Sequence, residues 1–197
     1  MTDTEPTPAA PVVALSRSGG RSALVISVVV GIVLAMLVVV LFTREPASER
    51  ADTTRMVGRV APAVEGPTID GGTFSTAGLR GRWVLVNFFA SWCVPCIQEH
   101  PELQAFDEEH RDLGDAVLVS VTYDNDTDDA REFFDKRGGT WPVIDDPDNA
   151  IGVAYGVAQV PETFVIAPNG VVVAWFGGGV TQAGLNEVIG FRPGSDG

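Results

Sequence analysis

Apolar residues occur in short blocks in the second half of the chain, and each block is followed by a segment with helical spacing. Two blocks are long and continuous enough to predict buried strands, Trp83–Phe89 and Ala116–Thr122. Amphipathic patterns follow them at Ile97–Arg111 and Asp128–Arg137, and the second pattern stops at a Gly-Gly pair. The spacing therefore predicts two strand-helix units in succession.

The C-terminal part continues the alternation and adds a hairpin. The pattern predicts an extended segment at Pro142–Ile144, a helix at Asn149–Tyr155, strands at Thr163–Ile166 and Val171–Phe176, and a helix at Gln182–Ile189. The last two strands flank Pro168-Asn169-Gly170, and Asn-Gly between apolar runs favours a tight hairpin. Alternating strands and helices that end in a hairpin and a helix predict an α/β sandwich with a mixed central sheet.

A different apolar pattern lies near the N-terminus, where residues 22–42 form a stretch of 21 residues without a charge. About 20 apolar residues suffice to cross a bilayer as a helix. A cleaved signal peptide and a buried core helix are the alternatives, but a secretory apolar region is shorter and ends at an A-x-A-like site, which Leu41–Pro46 does not offer. We therefore expect one N-terminal transmembrane helix that acts as an uncleaved anchor.

These patterns predict the organisation of the whole chain. We expect a disordered cytoplasmic tail at 1–21, the anchor at 22–42, a linker at 43–58, the α/β domain at 59–191 and a C-terminal tail at 192–197. Basic residues flank the anchor almost evenly, with a slight excess before it, which favours a cytoplasmic N-terminus. The expected location is a single-pass protein of the cytoplasmic membrane with its domain on the extracytoplasmic face.

Charge narrows the choice of partners. The formal net charge of −13 belongs entirely to residues 43–197, because the two arginines and two acidic residues before position 43 cancel. Such a surface repels nucleic acids and anionic lipid headgroups. A role in binding DNA or RNA is therefore not expected.

The two cysteines of the chain, Cys93 and Cys96, lie between the first predicted strand and its helix. The start of a helix presents unpaired N–H groups and a partial positive charge, so a thiol there ionises more easily. The second thiol, one turn further on, is close enough to form or resolve a disulfide. With no other cysteine available, the pair is either redox-active or metal-binding. His100 would add a third metal ligand, whereas a structural zinc site needs four.

Several separated motifs carry a resemblance to a known family. They are Val86–Cys93, Cys96 with Glu99 and Pro101, Trp141-Pro142-Val143, and Val160–Ile166 followed by Asn169-Gly170. In these motifs residues 58–190 resemble the thioredoxin superfamily, and more narrowly its TlpA/ResA/DsbE (CcmG) branch of membrane-tethered thiol–disulfide oxidoreductases. The resemblance implies a thioredoxin-like fold and an enzyme that needs neither a cofactor nor a metal.

The resemblance also implies roles for individual residues. Cys93 is expected to be an exposed attacking thiolate and Cys96 the shielded resolving thiol, the two forming a redox-active disulfide. Trp92 is expected to pack beside the site and exclude water. Pro161 is expected to follow a cis peptide bond and to turn the Val160 backbone toward a substrate segment.

Glu99 is a further candidate catalytic residue. It follows Cys96 by three positions, so both side chains lie on one face of a helix, and its carboxylate would accept the Cys96 proton during resolution. Thioredoxin has a buried aspartate six residues before its first active cysteine, where this chain has Asn87. Glu162, beside Pro161, is a weaker candidate for recognising partners, and Ala158 stands where related enzymes often have an aromatic residue.

Within the family, the usual task is to keep the haem-attachment cysteines of apocytochrome c reduced, with electrons from a membrane thiol donor. A protein disulfide, with apocytochrome c the leading candidate, is therefore the expected substrate. The C-x-x-C motif alone does not set the direction of electron flow, so an oxidase that forms disulfides in exported proteins is one alternative. A non-catalytic copper or zinc carrier is the other.

Overall fold

The computed structural model of the chain describes residues 25–26, 28–36 and 56–190. The first two segments are helical and belong to a separate unit of the chain. Within these described segments no helix combines the length and hydrophobicity that crossing a bilayer requires. Part of the predicted anchor, the two predicted tails and most of the predicted linker lie outside the described residues.

Residues 56–190 contain seven strands, four α-helices and a short 3-10 turn at Thr76–Gly78. The strands are β1 Glu65–Pro67, β2 Thr73–Ser75, β3 Trp83–Phe89, β4 Ala116–Thr122, β5 Val143–Ile144, β6 Glu162–Ile166 and β7 Val172–Gly177. The helices are α1 Val94–Leu113, α2 Thr127–Arg137, α3 Ala150–Tyr155 and α4 Gln182–Ile189.

Five of the strands form one mixed sheet in the order β5-β4-β3-β6-β7. Strand β3 is parallel to β4, and β4 is parallel to β5, because each connection passes through a helix. Strand β6 is antiparallel to both β3 and β7, and the β6–β7 pair is the predicted hairpin. The predicted α/β architecture with a mixed central sheet is confirmed.

The central strand β3 is buried on both faces, and its residues alternate between two apolar clusters. Val84, Val86 and Phe88 pack into one cluster with residues of α3 and β6. Leu85 and Phe89 pack into the other, beneath α1 and α4. Each such side chain contributes about 1.5–3 kcal/mol when it is fully removed from water. Burial on both faces therefore fixes β3 as the scaffold of the domain.

The end of β3 positions the cysteines. The chain leaves the sheet after Phe89, and Cys93 is the residue that caps the N-terminus of α1. The helix ends at Leu113, and the next residue, Gly114, caps it in the left-handed conformation that glycine tolerates best. The cysteine pair therefore lies at the carboxyl end of the central strand of the sheet.

Two details of the sequence prediction are wrong. Helix α1 begins at Val94, three residues before the predicted start, because Cys93 itself caps it. The small antiparallel sheet of β1 and β2 is not predicted at all. Its strands have only three residues each, and Gly66 and Pro67 lie in β1, so no apolar alternation marks them.

Candidate active site

Cys93 and Cys96 are joined by a disulfide, with their Cα atoms 5.2 Å apart. Their spacing along the first turn of α1 brings the two sulfur atoms together. The Cys93 Sγ atom also accepts a hydrogen bond of 3.2 Å from the Cys96 backbone N–H. This donor and the helix N-terminus favour negative charge on the Cys93 sulfur once the disulfide is reduced.

The expected exposure of Cys93 is wrong. Cys93 is only 4% exposed and Cys96 only 3%, so the two residues are shielded about equally. The Cys93 sulfur is bonded to Cys96 and lies 3.6 Å from the Val160 carbonyl oxygen, which covers it. Position on the helix, rather than exposure, distinguishes the two cysteines in the disulfide form.

The segment that covers the disulfide contains the expected cis peptide bond, between Val160 and Pro161. Pro161 is buried and Val160 is half-buried. The Pro161 carbonyl accepts a hydrogen bond from Gly178 N–H, which ties this segment to the end of β7. The Val160 backbone is therefore held directly against the Cys93 sulfur.

Apolar side chains flank the disulfide on the solvent side. Trp92 is 59% exposed, and its indole N–H donates to the Asp124 carbonyl at 3.0 Å. Val94, on the other side of Cys93, is 61% exposed and is not among the residues predicted from the sequence. Both are therefore better placed to contact another protein than to shield the site from water.

Glu99 lies on the buried face of α1 and is 3% exposed. Its Oε1 atom accepts from Asn87 Nδ2 at 2.8 Å, and its Oε2 atom accepts from Val180 N–H at 3.0 Å. Burial raises the pKa of Glu99 to about 7, although both hydrogen bonds act in the opposite direction. Near neutral pH, this carboxyl group can therefore both release and accept a proton.

The raised pKa of Glu99 predicts a loss of stability with rising pH. From its ordinary pKa of 4.5 up to about 7, the folded state holds a proton that the unfolded state releases. The free energy of unfolding of the oxidised protein should therefore fall across this range, by about 3 kcal/mol from this group. Urea titrations from about pH 4 to about pH 8 measure the fall.

The substitution Glu99→Gln is the matched control for that measurement. It removes the titrating group. Between the same pH values its free energy of unfolding should therefore fall by about 3 kcal/mol less than that of the wild type. Other carboxyl groups titrate in both proteins and cancel in the difference. Parallel curves for the two proteins would contradict the assignment.

Glu162 is oriented inward, not toward a partner. It is 1% exposed, and its carboxylate accepts hydrogen bonds from Trp175 Nε1 at 2.9 Å and from the N–H groups of Ala158 and Gln159, both at 3.3 Å. Burial raises its pKa. Glu162 therefore stabilises the loop that carries Val160 and Pro161.

His100 is buried among aromatic rings, and its Nε2 atom lies 2.8 Å from the Gly138 carbonyl oxygen. That contact ties α1 to the end of α2. Across the part of the chain that the structure describes, no three His, Cys, Asp or Glu side chains are grouped so as to hold a metal ion.

Ser120, Thr163 and Trp141 lie around Asn87 and Glu99 and are not among the site residues predicted from the sequence. Thr163 Oγ1 accepts from Asn87 Nδ2 at 3.1 Å, and Ser120 Oγ donates to Asn87 Oδ1 at 3.3 Å. A polar residue inside a largely apolar strand is the signal that marks Ser120. Thr163 follows Glu162 in β6 and Trp141 lies outside the strands, so neither carries that signal.

Comparison with known proteins identifies the class. The model of the Redoxin family matches residues 56–189, and the chain belongs to this family. Together with the Cys93–Cys96 disulfide at the start of α1, this membership identifies a thiol–disulfide oxidoreductase.

Individual relatives define the type within the class. The thiol:disulfide interchange protein HelX of Rhodobacter capsulatus is 34% identical over 75% of this chain and 83% of its own length. The thiol:disulfide interchange protein DsbE of Pseudomonas fluorescens biotype C is 34% identical over 73% of this chain and 80% of its own length. A crystal structure of a thioredoxin family thiol:disulfide interchange protein from Chlorobium tepidum superposes with a TM-score of 0.61 at 26% identity. The superposition covers 66% of this chain and 93% of that protein. The chain is thus an oxidoreductase of the DsbE/HelX type.

Proposed function

We propose that the protein is a membrane-tethered, extracytoplasmic reductase of protein disulfides that acts in cytochrome c maturation. The observation that carries this proposal is the Cys93–Cys96 disulfide at a helix N-terminus, with the buried carboxyl of Glu99 one turn further along the same helix. The two sulfur atoms carry the electrons, and the carboxyl group handles the proton.

The reaction proceeds in two exchanges. The Cys93 thiolate attacks one sulfur of a substrate disulfide, forms a mixed disulfide and releases the other substrate sulfur as a thiolate. The Cys96 thiol then gives its proton to Glu99 and attacks the Cys93 sulfur. The Cys93–Cys96 bond forms and the second substrate sulfur leaves as a thiolate, so the substrate gains two electrons. Its two thiolates take up protons from water, to which Glu99 returns the Cys96 proton.

Substrate binding involves the residues around the disulfide. The Val160 backbone, held by Pro161 beside the Cys93 sulfur, is positioned to pair with an extended substrate segment. Trp92 supplies an exposed aromatic surface for side chains of that segment.

The charge near the sulfur atoms supports the proposed direction of electron flow. A carboxylate on the helix face of Cys96 disfavours a thiolate there, which destabilises the reduced form relative to the disulfide. The N-terminus of α1 has the opposite effect on Cys93. Because Glu99 is buried and its charge is poorly screened, we expect its effect to dominate and to make the protein a reductant.

The equilibrium reduction potential of the Cys93–Cys96 pair tests this direction. Titration of the full chain against glutathione, read by alkylation, should give a value at or below about −200 mV. A value near about −120 mV, typical of strong protein oxidants, would instead support a disulfide-forming oxidase.

Apocytochrome c is the proposed substrate and a membrane thiol transporter the proposed electron donor. The probe is an oxidised peptide with the haem-attachment sequence C-x-x-C-H. The control peptide keeps the disulfide but has the other residues in scrambled order, and the rates of reduction of the two peptides are compared. Faster reduction of the C-x-x-C-H peptide supports the assignment. Equal rates would indicate a general protein reductase.

The uncharged stretch 22–42 supports the tether. The full chain should stay with membranes through an alkaline wash, whereas a chain that lacks residues 1–42 should be released. In intact cells, a membrane-impermeant maleimide should label Cys93 and Cys96 in the reduced protein. No other cysteine of the chain can contribute to the signal. Labelling only after lysis would place the domain inside the cell.

A further inference from the structure

A row of polar side chains crosses the centre of the sheet beneath α1. Asn87 on β3 lies directly opposite Ser120 on β4 and Thr163 on β6 in the strand register. All three are at most 1% exposed. Because residues at the same level of neighbouring strands point to the same face, the three side chains meet under the helix that carries Glu99.

A chain of hydrogen bonds leads through this row from Trp141 to Glu99. The Trp141 indole N–H donates to Ser120 Oγ at 2.8 Å, and Ser120 Oγ donates to Asn87 Oδ1 at 3.3 Å. Asn87 Nδ2 then donates to Glu99 Oε1 at 2.8 Å. Trp141 is itself 5% exposed, so the whole chain is shielded from water.

The first group in the chain sets the direction of every bond after it. An indole N–H only donates, so Ser120 Oγ must accept from Trp141, and its single hydrogen is left to donate to Asn87. With its hydrogen directed at Asn87, Ser120 favours the observed amide orientation, in which the oxygen faces Ser120 and the nitrogen donates to Glu99 and to Thr163 Oγ1. If the amide were reversed, its oxygen would face the Glu99 carboxylate and the Ser120 hydrogen would have no acceptor in this row.

We propose that Trp141 is a positioning residue for the interchange reaction: through Ser120 it orients the Asn87 amide so that an N–H group points at Glu99. This orientation stabilises the ionised carboxyl, which is the form that accepts the Cys96 proton, so the proposal rests on the proposed role of Glu99. Loss of the indole N–H removes the partner that holds the Ser120 hydrogen toward Asn87, so the hydroxyl can turn and present a lone pair to a reversed Asn87. The reversed amide oxygen then favours a protonated Glu99.

The test is the substitution Trp141→Phe in the full chain, read by the carbon-13 chemical shift of the Glu99 carboxyl across a pH series. The Glu99 titration midpoint should move upward by about half a unit or more. Ser120→Ala should move it in the same direction because it also frees the amide, and Ser120→Thr, which keeps the hydroxyl, should restore it. Trp83→Phe, at the far end of β3, removes an indole that packs against the same apolar cluster and should leave the midpoint unchanged.

An unchanged Glu99 midpoint in a folded Trp141→Phe protein would overturn the proposal. If that variant does not fold, Ser120→Ala decides in its place. The rate at which a mixed disulfide resolves is a separate readout. At pH 7, close to the Glu99 pKa, it should fall about twofold with an upward shift of half a unit, because the ionised fraction is roughly halved. A shifted midpoint with an unchanged rate would uphold the positioning role of Trp141 and reject Glu99 as the base.

Discussion

Replacement of Cys96 by alanine should stop the reaction at the mixed disulfide, with the substrate bound covalently to Cys93. Cys93 keeps its place at the start of α1, so its thiolate still forms. No second thiol remains to displace the substrate, because the chain has only two cysteines. Non-reducing gels of the variant mixed with an oxidised protein measure the trapped species.

The matched control is Cys93→Ala, which keeps the thiol one turn inside the helix. This variant should neither reduce substrate nor form a lasting adduct, because Cys96 lacks the capping position that favours a thiolate at Cys93. Turnover should fall to the background rate in both variants. Stable adducts through Cys96 instead of Cys93 would reverse the assigned roles.

The second large effect is expected for Glu99→Gln. General base catalysis by a positioned side chain contributes about a hundredfold or more, so resolution of the mixed disulfide should slow by about that factor. In the wild type the rate should rise through pH 7, where Glu99 ionises, and then level off. The variant should lack that inflection, as single-turnover kinetics with a labelled substrate would show.

Glu108→Gln is the control for this substitution, since Glu108 is an exposed glutamate on the same helix. It should keep both the wild-type rate and the wild-type pH profile. A Glu99→Gln protein that resolves the mixed disulfide at the wild-type rate would remove Glu99 from the mechanism and leave the cysteine chemistry intact.

The sequence predicts the fold well wherever one apolar pattern defines an element. The bounds of β3, β4 and α4 agree with the pattern residue for residue. Strands β3 and β4 are continuous apolar blocks, and α4 is a short amphipathic helix with clear ends. The capping position of Cys93 is likewise local, since it depends only on the strand before it and the helix after it. The cis bond before Pro161 is confirmed as well, although only the family motif pointed to it.

What depends on contacts between distant segments is not visible in the pattern. The low exposure of Cys93 comes from Val160, 67 residues away. The bond from Glu99 to Val180 spans 81 residues, and the inward orientation of Glu162 depends on Trp175 in the next strand. The polar residues Asn87 and Ser120 interrupt apolar strands visibly, but only the register shows that they meet.

The central claim is that Cys93 and Cys96 pass two electrons to the disulfide of another protein. Fully reduced protein is mixed with the oxidised C-x-x-C-H peptide under anaerobic conditions, quenched in acid, alkylated and digested for mass spectrometry. One Cys93–Cys96 disulfide should appear for every peptide disulfide that is lost. Intact disulfides in this peptide and in its scrambled counterpart, beside two alkylated cysteines, would contradict the account.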